Sequence, residues 1–327
     1  MNSTRETIHI AFGCDDNYAQ HLGVAIASIL ANSLPNESFH FYVVDGGISH
    51  SNKEKLSQLK SIKDFDMDFI DFDMNKISEF PPGYTGKSAY LRLFLPELIP
   101  ELDKVLYLDS DLVVLCPLSE LWNLNLQEKA LGAVTDFHEY TSNKTIRLST
   151  ASFRFNLSNP GFNSGVLLID LDAIRKTGLF IKCQEWLNQN KEKALLCDQD
   201  ALNVIFDNCH CQLPPEWNIQ YHFECPQALI ASIENKRIKE LSNNPTHILH
   251  FVTTLKPWKY LFTDQKIADY YYRYLDITPW KGWRPKCASF KEFRRYLRQT
   301  NAFFYAMHIA YSNMKEGLKK LRKALFL

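Results

Sequence analysis

Nowhere does the chain hold an apolar run of the roughly 20 residues that a bilayer-spanning helix needs. No apolar targeting segment follows its polar opening, Met1-Asn2-Ser3-Thr4-Arg5-Glu6-Thr7, either. A spanning or exported protein is therefore not the expectation. Net charge is lacking too: Lys plus Arg and Asp plus Glu number 37 each, so no overall positive field argues for nucleic acid. The 8 cysteines show no zinc or dithiol spacing. Cys209-x-Cys211 is the one close pair and the others stand mostly alone in apolar surroundings, a set expected to stay reduced in the cytoplasm. No disorder signature is present. What remains is a globular composition of 327 residues, enough for one large domain or two ordinary ones.

What the sequence does have is an alternation of short apolar strands and amphipathic helices. Residues 8–13 read as a buried strand, followed by Cys14-Asp15-Asp16-Asn17-Tyr18 and a helix with apolar Leu22, Ala25, Ile26, Ile29 and Leu30. Residues 39–45 and 67–72 read as further strands, and 51–62 as a charged helix turning Leu56 and Leu59 inward. This is the opening of a βαβ unit, in which ligands gather at the carboxyl ends of the strands and helix N-termini favour anions. Asp15 and Asn17 fall where a nucleotide is read, or where a helix is capped.

The run 104–115 is apolar and rich in β-branched residues, interrupted by Asp109 and Asp111. On one continuous strand the two carboxylates share a side, and burial there leaves two unpaired charges. A divalent cation resolves the conflict: carboxylate oxygens suit Mg²⁺ or Mn²⁺, which take phosphate oxygens as further ligands. An ordinary strand-to-turn transition is the structural alternative. Upstream, Arg92 stands among the apolar residues of 88–95, as a partner for a carboxylate or as a ligand for phosphate or sugar. Downstream, a strand over 130–136 ends in Asp136, and 137–160 is a polar stretch long enough to act as a lid. Gly161-Phe162-Asn163-Ser164-Gly165 leads into a strand over 166–170, and Asp198-Gln199-Asp200 opens a helix over 201–206, as caps or as site residues. Residues 213–222 form a polar-aromatic strand region. A strand over 246–252 carries His250, a candidate ligand, into the loop Thr253-Thr254-Leu255-Lys256-Pro257-Trp258, which suits a phosphate.

Taken in order, Phe12 to Tyr18, Phe41 to Ser49, Tyr90-Leu91-Arg92-Leu93, Leu106 to Asp111, Phe162 to Leu168, Asp198-Gln199-Asp200 and His250 to Trp258 resemble glycosyltransferase family 8. These are retaining nucleotide-sugar transferases with the GT-A fold, a Rossmann-like α/β mixed sheet flanked by helices. The resemblance implies a catalytic domain over 1–265 and a helical, basic extension over 266–327. It implies that Asp109, Asp111 and His250 hold Mn²⁺, with Mg²⁺ the alternative. Gly13, Asp15 and Asn17 would contact uridine, Ser110 and Ser164 would line the donor, and Lys256 would neutralise phosphate. Arg92, Asn163, Asp198 and Gln199 would surround the donor sugar, with Asp136 an acceptor-side acid; Gln199, Asp198 and Asp136 form the expected catalytic set. One departure stands out: Thr253 occupies the glycine position of the family's His-x-x-Gly-x-x-Lys turn. Its Cβ sits where glycine lets backbone approach a phosphate, and its hydroxyl is offered instead as a donor.

Thr278-Pro279-Trp280-Lys281 resembles an element of the bacterial lipopolysaccharide core hexosyltransferases of that family. Beyond it, 290–298 is aromatic and basic, and Met314, Leu318, Leu321 and Leu325 form an apolar stripe beside Lys315, Lys319, Lys320, Arg322 and Lys323. A basic amphipathic helix reads as a membrane-surface contact, or as a helix docked on its own domain. The expectation is a cytoplasmic transferase, peripheral on the anionic inner face of the bacterial inner membrane. It would move glucose or galactose from UDP-glucose or UDP-galactose to a lipid-linked lipopolysaccharide or lipooligosaccharide core acceptor, without nucleic acid. The rival readings are a glycogenin-like self-glucosylating protein, a transferase acting on a protein-linked glycan, a haloacid-dehalogenase phosphatase and a non-catalytic carbohydrate-binding protein. Leu112-Val113-Val114, continuing as strand after the second acid, argues against the phosphatase.

Overall fold

Parallel strands need crossover connections, and the first third of the chain supplies them. β1 (Thr7–Cys14) leads through the helix Ala19–Ala31 to β2 (Ser38–Asp45), and the helix His50–Ser57 leads on to β3 (Asp66–Asp71). Both pairings are parallel, with Ile10 opposite Phe41 and Phe41 opposite Met67. β4 (Lys104–Leu108) adds in parallel to the other side of β1. Direction then reverses: β7 (Phe162–Asp170) lies antiparallel between β4 and β6 (Leu131–Thr135), and β8 (His210–Gln212) closes the edge. The order is β3-β2-β1-β4-β7-β6-β8. A second sheet is built from β5 (Leu112–Val114), β9 (Ile219–Gln220) and β10 (Ile248–His250), with β10 in the middle. The computed structural model describes residues 7–81, 86–140, 150–221, 245–252, 256–262 and 264–300, with Met307 and Met314.

Strand alternation sorts the core into two layers. Ile10, Phe12, Leu106 and Leu108 pack with the helix Ala19–Ala31 and the small sheet, whereas Ala11, Val105 and Tyr107 pack with Tyr90, Leu91 and Leu202 on the opposite face. With both faces covered, the central strands are apolar along their length rather than alternating, as their sequences show. The helix Ala19–Ala31 is sandwiched as well, and every residue from His21 to Leu30 is buried.

The expected single strand over 104–115 is two strands in two sheets. The Asp109 N–H still donates to Gly165 O at 2.8 Å, the last rung beside β7, and two residues later Asp111 O accepts the Phe251 N–H at 2.9 Å beside the small sheet. The chain changes sheets at the acid pair, so the two carboxylates come out at the seam instead of inside a doubly covered strand, where their charges would be stranded. Gly161 to Gly165, read as a lead-in, mostly belongs to β7, whose register against β6 shifts between Ala133 and Val134. Within 137–160 the described residues form two short helical turns, Phe137–Tyr140 and Ala151–Phe155. Within 213–222, a 3₁₀ turn Pro215–Asn218 precedes the two-residue β9.

After the small sheet, the helix Gln265–Leu275 buries Ala268, Tyr271, Tyr274 and Leu275, and the last three join the core beside the helix Ala19–Ala31. Trp280 then lies on Gly23, where any Cβ would meet its ring at 2.6 Å. The helix Phe290–Thr300 follows, with Phe290 75% exposed. Thr253 and the expected stripe residues Leu318, Leu321 and Leu325 lie outside the described residues; Met314 is exposed.

His21 is the titratable group this packing constrains most simply. Its ring stacks on Trp258 at 3.8 Å between centroids, and its Nδ1 lies 2.7 Å from the Tyr271 hydroxyl. Burial holds its pKa down at about 3 although the Asp111 charge pulls upward. The unfolded imidazole takes a proton near pH 6.5 and the folded one does not, so the unfolded state binds more protons between those values and stability falls as pH drops from about 6.5 toward 3. Denaturant unfolding at pH 7 and pH 5 should show the wild type losing about 2 kcal/mol more than His21→Gln over that interval. Equal losses would show that a neutral, buried His21 is not part of the acid sensitivity.

Candidate active site

The seam between the sheets brings side chains together from four parts of the chain. Asp109 and Asp111 flank the crossing, and His250 pairs with Leu112 in the ladder between β10 and β5, which sets its ring against both acids. One ligand atom from each of the three lies within 4.8 Å of the others. His250 Nε2 is 3.1 Å from Asp111 Oδ1 and 3.7 Å from Asp109 Oδ2. Its Nδ1 donates to Asn218 Oδ1 at 3.0 Å, an oxygen that only accepts, and Nε2 is the nitrogen left facing the acids. Two carboxylates and an imidazole nitrogen turned toward one point make a donor set that fits a divalent metal ion.

Gly165 completes the cradle. A Cβ there would stand 2.1 Å from His250 Cε1 and 2.7 Å from Asp109 Oδ2, so the space that a side chain would fill on β7 holds the imidazole and the carboxylate. Asn218, Gly165 and Cys197, whose backbone is described below, were not singled out from the sequence. For Gly165 a signal existed: a glycine inside an apolar strand often marks a close approach.

Two cations answer the acids. Lys256 Nζ is 2.6 Å from Asp111 Oδ2 and also donates to Phe251 O. Burial by itself would raise the Asp111 carboxyl, but Lys256 and His250 outweigh it and hold it well below the ordinary carboxylate range. Arg92, 2% exposed on the 3₁₀ segment Lys87–Phe94, bridges Asp109 at 2.7 Å and Asp198 at 3.0 Å, donates to Ser164 O and lies over the Tyr107 ring at 4.2 Å. In this structure, then, Arg92 pairs with carboxylates, the first of its two expected roles. Asp198 remains under strain: burial lifts its carboxyl to about 6 against the pull of Arg92.

The helix Asp198–Ile205 starts from an unusual turn. Cys197, buried, has a φ of 55° and a ψ of −127°, a conformation that costs a non-glycine residue on the order of 1–3 kcal/mol. Asp200 holds it in place by accepting the Leu196 N–H at 2.9 Å and pairing with Arg154. The turn aims Gln199 at the site. Its Oε1 accepts from Ser164 N at 3.1 Å and Asn163 Nδ2 at 3.2 Å, and its Nε2 donates to Asp136 Oδ2 at 3.0 Å. Beyond Gln199 lies a cavity of about 100 Å³ whose lining includes Asp136, Glu139, Gly161 and Asn203.

The expected nucleotide end is adjacent. Burial first, then the charges of Asp111, Asp109 and Asp15, push the Tyr18 phenol up, which puts the end of β1 within the field of the acid pair. Asp15 Oδ1 caps the turn by accepting Tyr18 N–H at 3.1 Å, while Oδ2 accepts from the Ser88 hydroxyl at 3.4 Å. Gly13 allows Ser88 O to approach within 2.8 Å of where a Cβ would be. Asn17 is exposed. The Ser110 side chain, between the two acids, is buried beside the Cys14 thiol. Of the expected site residues, Asp109, Asp111, His250, Lys256, Arg92, Asp198, Gln199, Asn163 and Ser164 thus form one bonded cluster, with Asp136 at its far end.

Residues 9–261 match the family model of glycosyl transferase family 8. Over 286 residues the chain is 31% identical to general stress protein A of Bacillus subtilis (strain 168), covering 84% of this chain and 95% of that protein. It is 27% identical over 296 residues to a lipopolysaccharide 1,2-glucosyltransferase of Escherichia coli (strain K12), covering 90% and 85%. Among solved structures it superposes with a TM-score of 0.70 and 29% identity on the galactosyltransferase LgtC in complex with donor and acceptor sugar analogs, covering 83% of this chain and 96% of that one.

The cradle can be tested without turnover. Gly165→Ala should leave the far-ultraviolet circular dichroism unchanged and weaken Mn²⁺ binding, followed by loss of the free-ion electron paramagnetic resonance signal, by about tenfold or more. Wild-type affinity in that variant would place the ion elsewhere.

Proposed function

The chain belongs to glycosyl transferase family 8 and is a glycosyltransferase of the GT-A fold; from that premise we propose that it moves glucose or galactose from a UDP-sugar to a sugar hydroxyl of a lipid-linked oligosaccharide, with retention of anomeric configuration. The observation that carries this reading is the convergence of Asp109, Asp111 and His250 beside Lys256, at the end of a bonded cluster that continues through Asn163 and Gln199. The glucosyltransferase and galactosyltransferase it resembles support the two donor hexoses. The lipopolysaccharide 1,2-glucosyltransferase it resembles also supports a lipopolysaccharide-type acceptor.

Asp109, Asp111 and His250 would hold Mn²⁺, preferred over Mg²⁺ by the imidazole in the set, and the chemistry it supplies when bound is Lewis-acid stabilisation of a leaving diphosphate. Lys256, now on Asp111, is placed to turn its ammonium to phosphate oxygens where negative charge develops. Gly13, Asp15, Asn17 and the Ser110 hydroxyl would face the nucleotide, Arg92, Ser164, Asn163 and Gln199 the hexose, and Asp136 the acceptor side. Thr253, outside the described residues, is proposed to meet the phosphates through its hydroxyl.

Retention by double displacement requires a free carboxylate behind the anomeric carbon. Gln199 is an amide whose oxygen already accepts two hydrogen bonds, and Asp198 is buried on Arg92. Both observations support attack from the leaving-group side. The acceptor oxygen bonds to the anomeric carbon as the bond to the diphosphate breaks, and the acceptor proton passes to the departing phosphate.

Among the described residues no helix is long and apolar enough to cross a membrane. Exposed Trp283, Phe290 and Phe293 stand among exposed Lys286, Lys291, Arg294 and Arg295, which supports a peripheral contact of the extension with the anionic inner face of the membrane.

The deciding assay titrates UDP-glucose and UDP-galactose with and without Mn²⁺ and follows slow UDP release in the absence of acceptor. One donor should be hydrolysed, and only with metal; if neither binds nor turns over, the donor assignment is wrong. Removing residues from 290 onward should cut binding to anionic vesicles far more than donor hydrolysis, and unchanged vesicle binding would remove the membrane role from this segment.

A further inference from the structure

The buried amides around the site form an unbroken chain with a direction. His250 Nδ1 donates to Asn218 Oδ1 at 3.0 Å, Asn218 Nδ2 to Asn163 Oδ1 at 2.8 Å, Asn163 Nδ2 to Gln199 Oε1 at 3.2 Å, and Gln199 Nε2 to Asp136 Oδ2 at 3.0 Å. Asn218 and His250 are each 2% exposed, so water does not compete for these bonds. An amide has one accepting end and one donating end, and the orientation of each dictates that of the next.

Three points fix the direction independently. The Asp136 carboxylate, when ionised, only accepts. The backbone N–H groups of Ser164 and Gly165 only donate, and they point at Gln199 Oε1 (3.1 Å) and Asn163 Oδ1 (3.0 Å). With these set, Asn163 presents its oxygen to Asn218, Asn218 must answer with Nδ2, and its remaining oxygen meets the imidazole. His250 then keeps a proton on Nδ1 and turns Nε2 toward Asp109 and Asp111.

We infer that Asn218 is a positioning residue that joins the imidazole ligand to the donor-sugar amides, so that the metal end and the sugar end of the site hold a single shared orientation. This rests on the proposed metal role of His250. Asn218 touches neither the cation position nor the reacting atoms; it acts by fixing which nitrogen of His250 is free and which end of Asn163 faces Gln199. Ligand-orienting partners of this kind are worth about 10- to 100-fold in metal affinity.

Two variants of the full chain separate this role from mere packing. Asn218→Asp keeps an acceptor for His250 Nδ1 and loses the donor to Asn163. It should bind Mn²⁺ within about threefold of wild type by the free-ion resonance signal, yet hydrolyse the UDP-sugar about tenfold or more slowly. Asn218→Ala loses both contacts and should weaken Mn²⁺ binding by about tenfold or more as well. If both variants keep wild-type Mn²⁺ affinity and hydrolysis, the inference fails. If both lose the two properties to the same extent, Asn218 is a packing residue and the inference also fails. Should the alanine variant not fold, the split between affinity and hydrolysis in the aspartate variant decides by itself. A wild type that binds no Mn²⁺ while still turning over a donor would overturn the metal assignment, and the coupling with it, leaving the transferase reading intact.

Discussion

Three carboxylates, Asp109, Asp111 and Asp198, share one buried pocket, and their mutual repulsion is the constraint to which the rest of the site responds. Arg92 bridges two of them and Lys256 pairs with the third. Two cations against three ionised acids leave an excess of negative charge, and Asp198, lifted to about 6, registers it together with burial. A divalent ion at Asp109, Asp111 and His250 would reverse the sign of the pocket and make it receptive to a diphosphate. Under the proposed function, metal and donor would each relieve a charge that the other introduces.

The fold places this conflict where it can be managed. Had residues 104–115 continued as one central strand, both faces would be covered and no cation could reach the acids. Because the large sheet ends at Asp109 and the small one takes over at Asp111, the carboxylates lie on a seam with β7 on one side and His250 on the other. The support behind the seam is aromatic packing. Trp258, two residues beyond Lys256, is stacked on His21 and packed against Tyr271, tying the lysine's segment to the helices Ala19–Ala31 and Gln265–Leu275. The turn at Cys197 stores backbone strain to aim Asp198 and Gln199, and the Arg154–Asp200 pair holds that strain in place.

Much of this was legible in the sequence because it is local. The period of the strands and helices revealed the βαβ opening, and the resemblance to a known family singled out Asp109, Asp111, His250 and Lys256, which the fold brings together. The sheet change was not legible, since apolar residues flank the acids on both sides and nothing local distinguishes one long strand from two short ones. Nor were the partners of Arg92, which come from separate elements and are settled only by packing. Asn218 lies 32 residues from His250, and no spacing announces that pairing. Gly165 and Cys197 are ordinary letters in their segments; their meaning comes from what occupies the space beside them.

The central claim is that the Asp111–Lys256 pair stands in for a metal and a phosphate. Diffraction from crystals grown with Mn²⁺ and UDP, recorded where manganese scatters anomalously, tests it most directly. The account predicts one strong anomalous peak ligated by Asp109, Asp111 and His250 Nε2, with the Lys256 ammonium withdrawn from Asp111 to a phosphate oxygen. A peak at other residues, or an ion in place with Lys256 still paired at its present 2.6 Å, would contradict it.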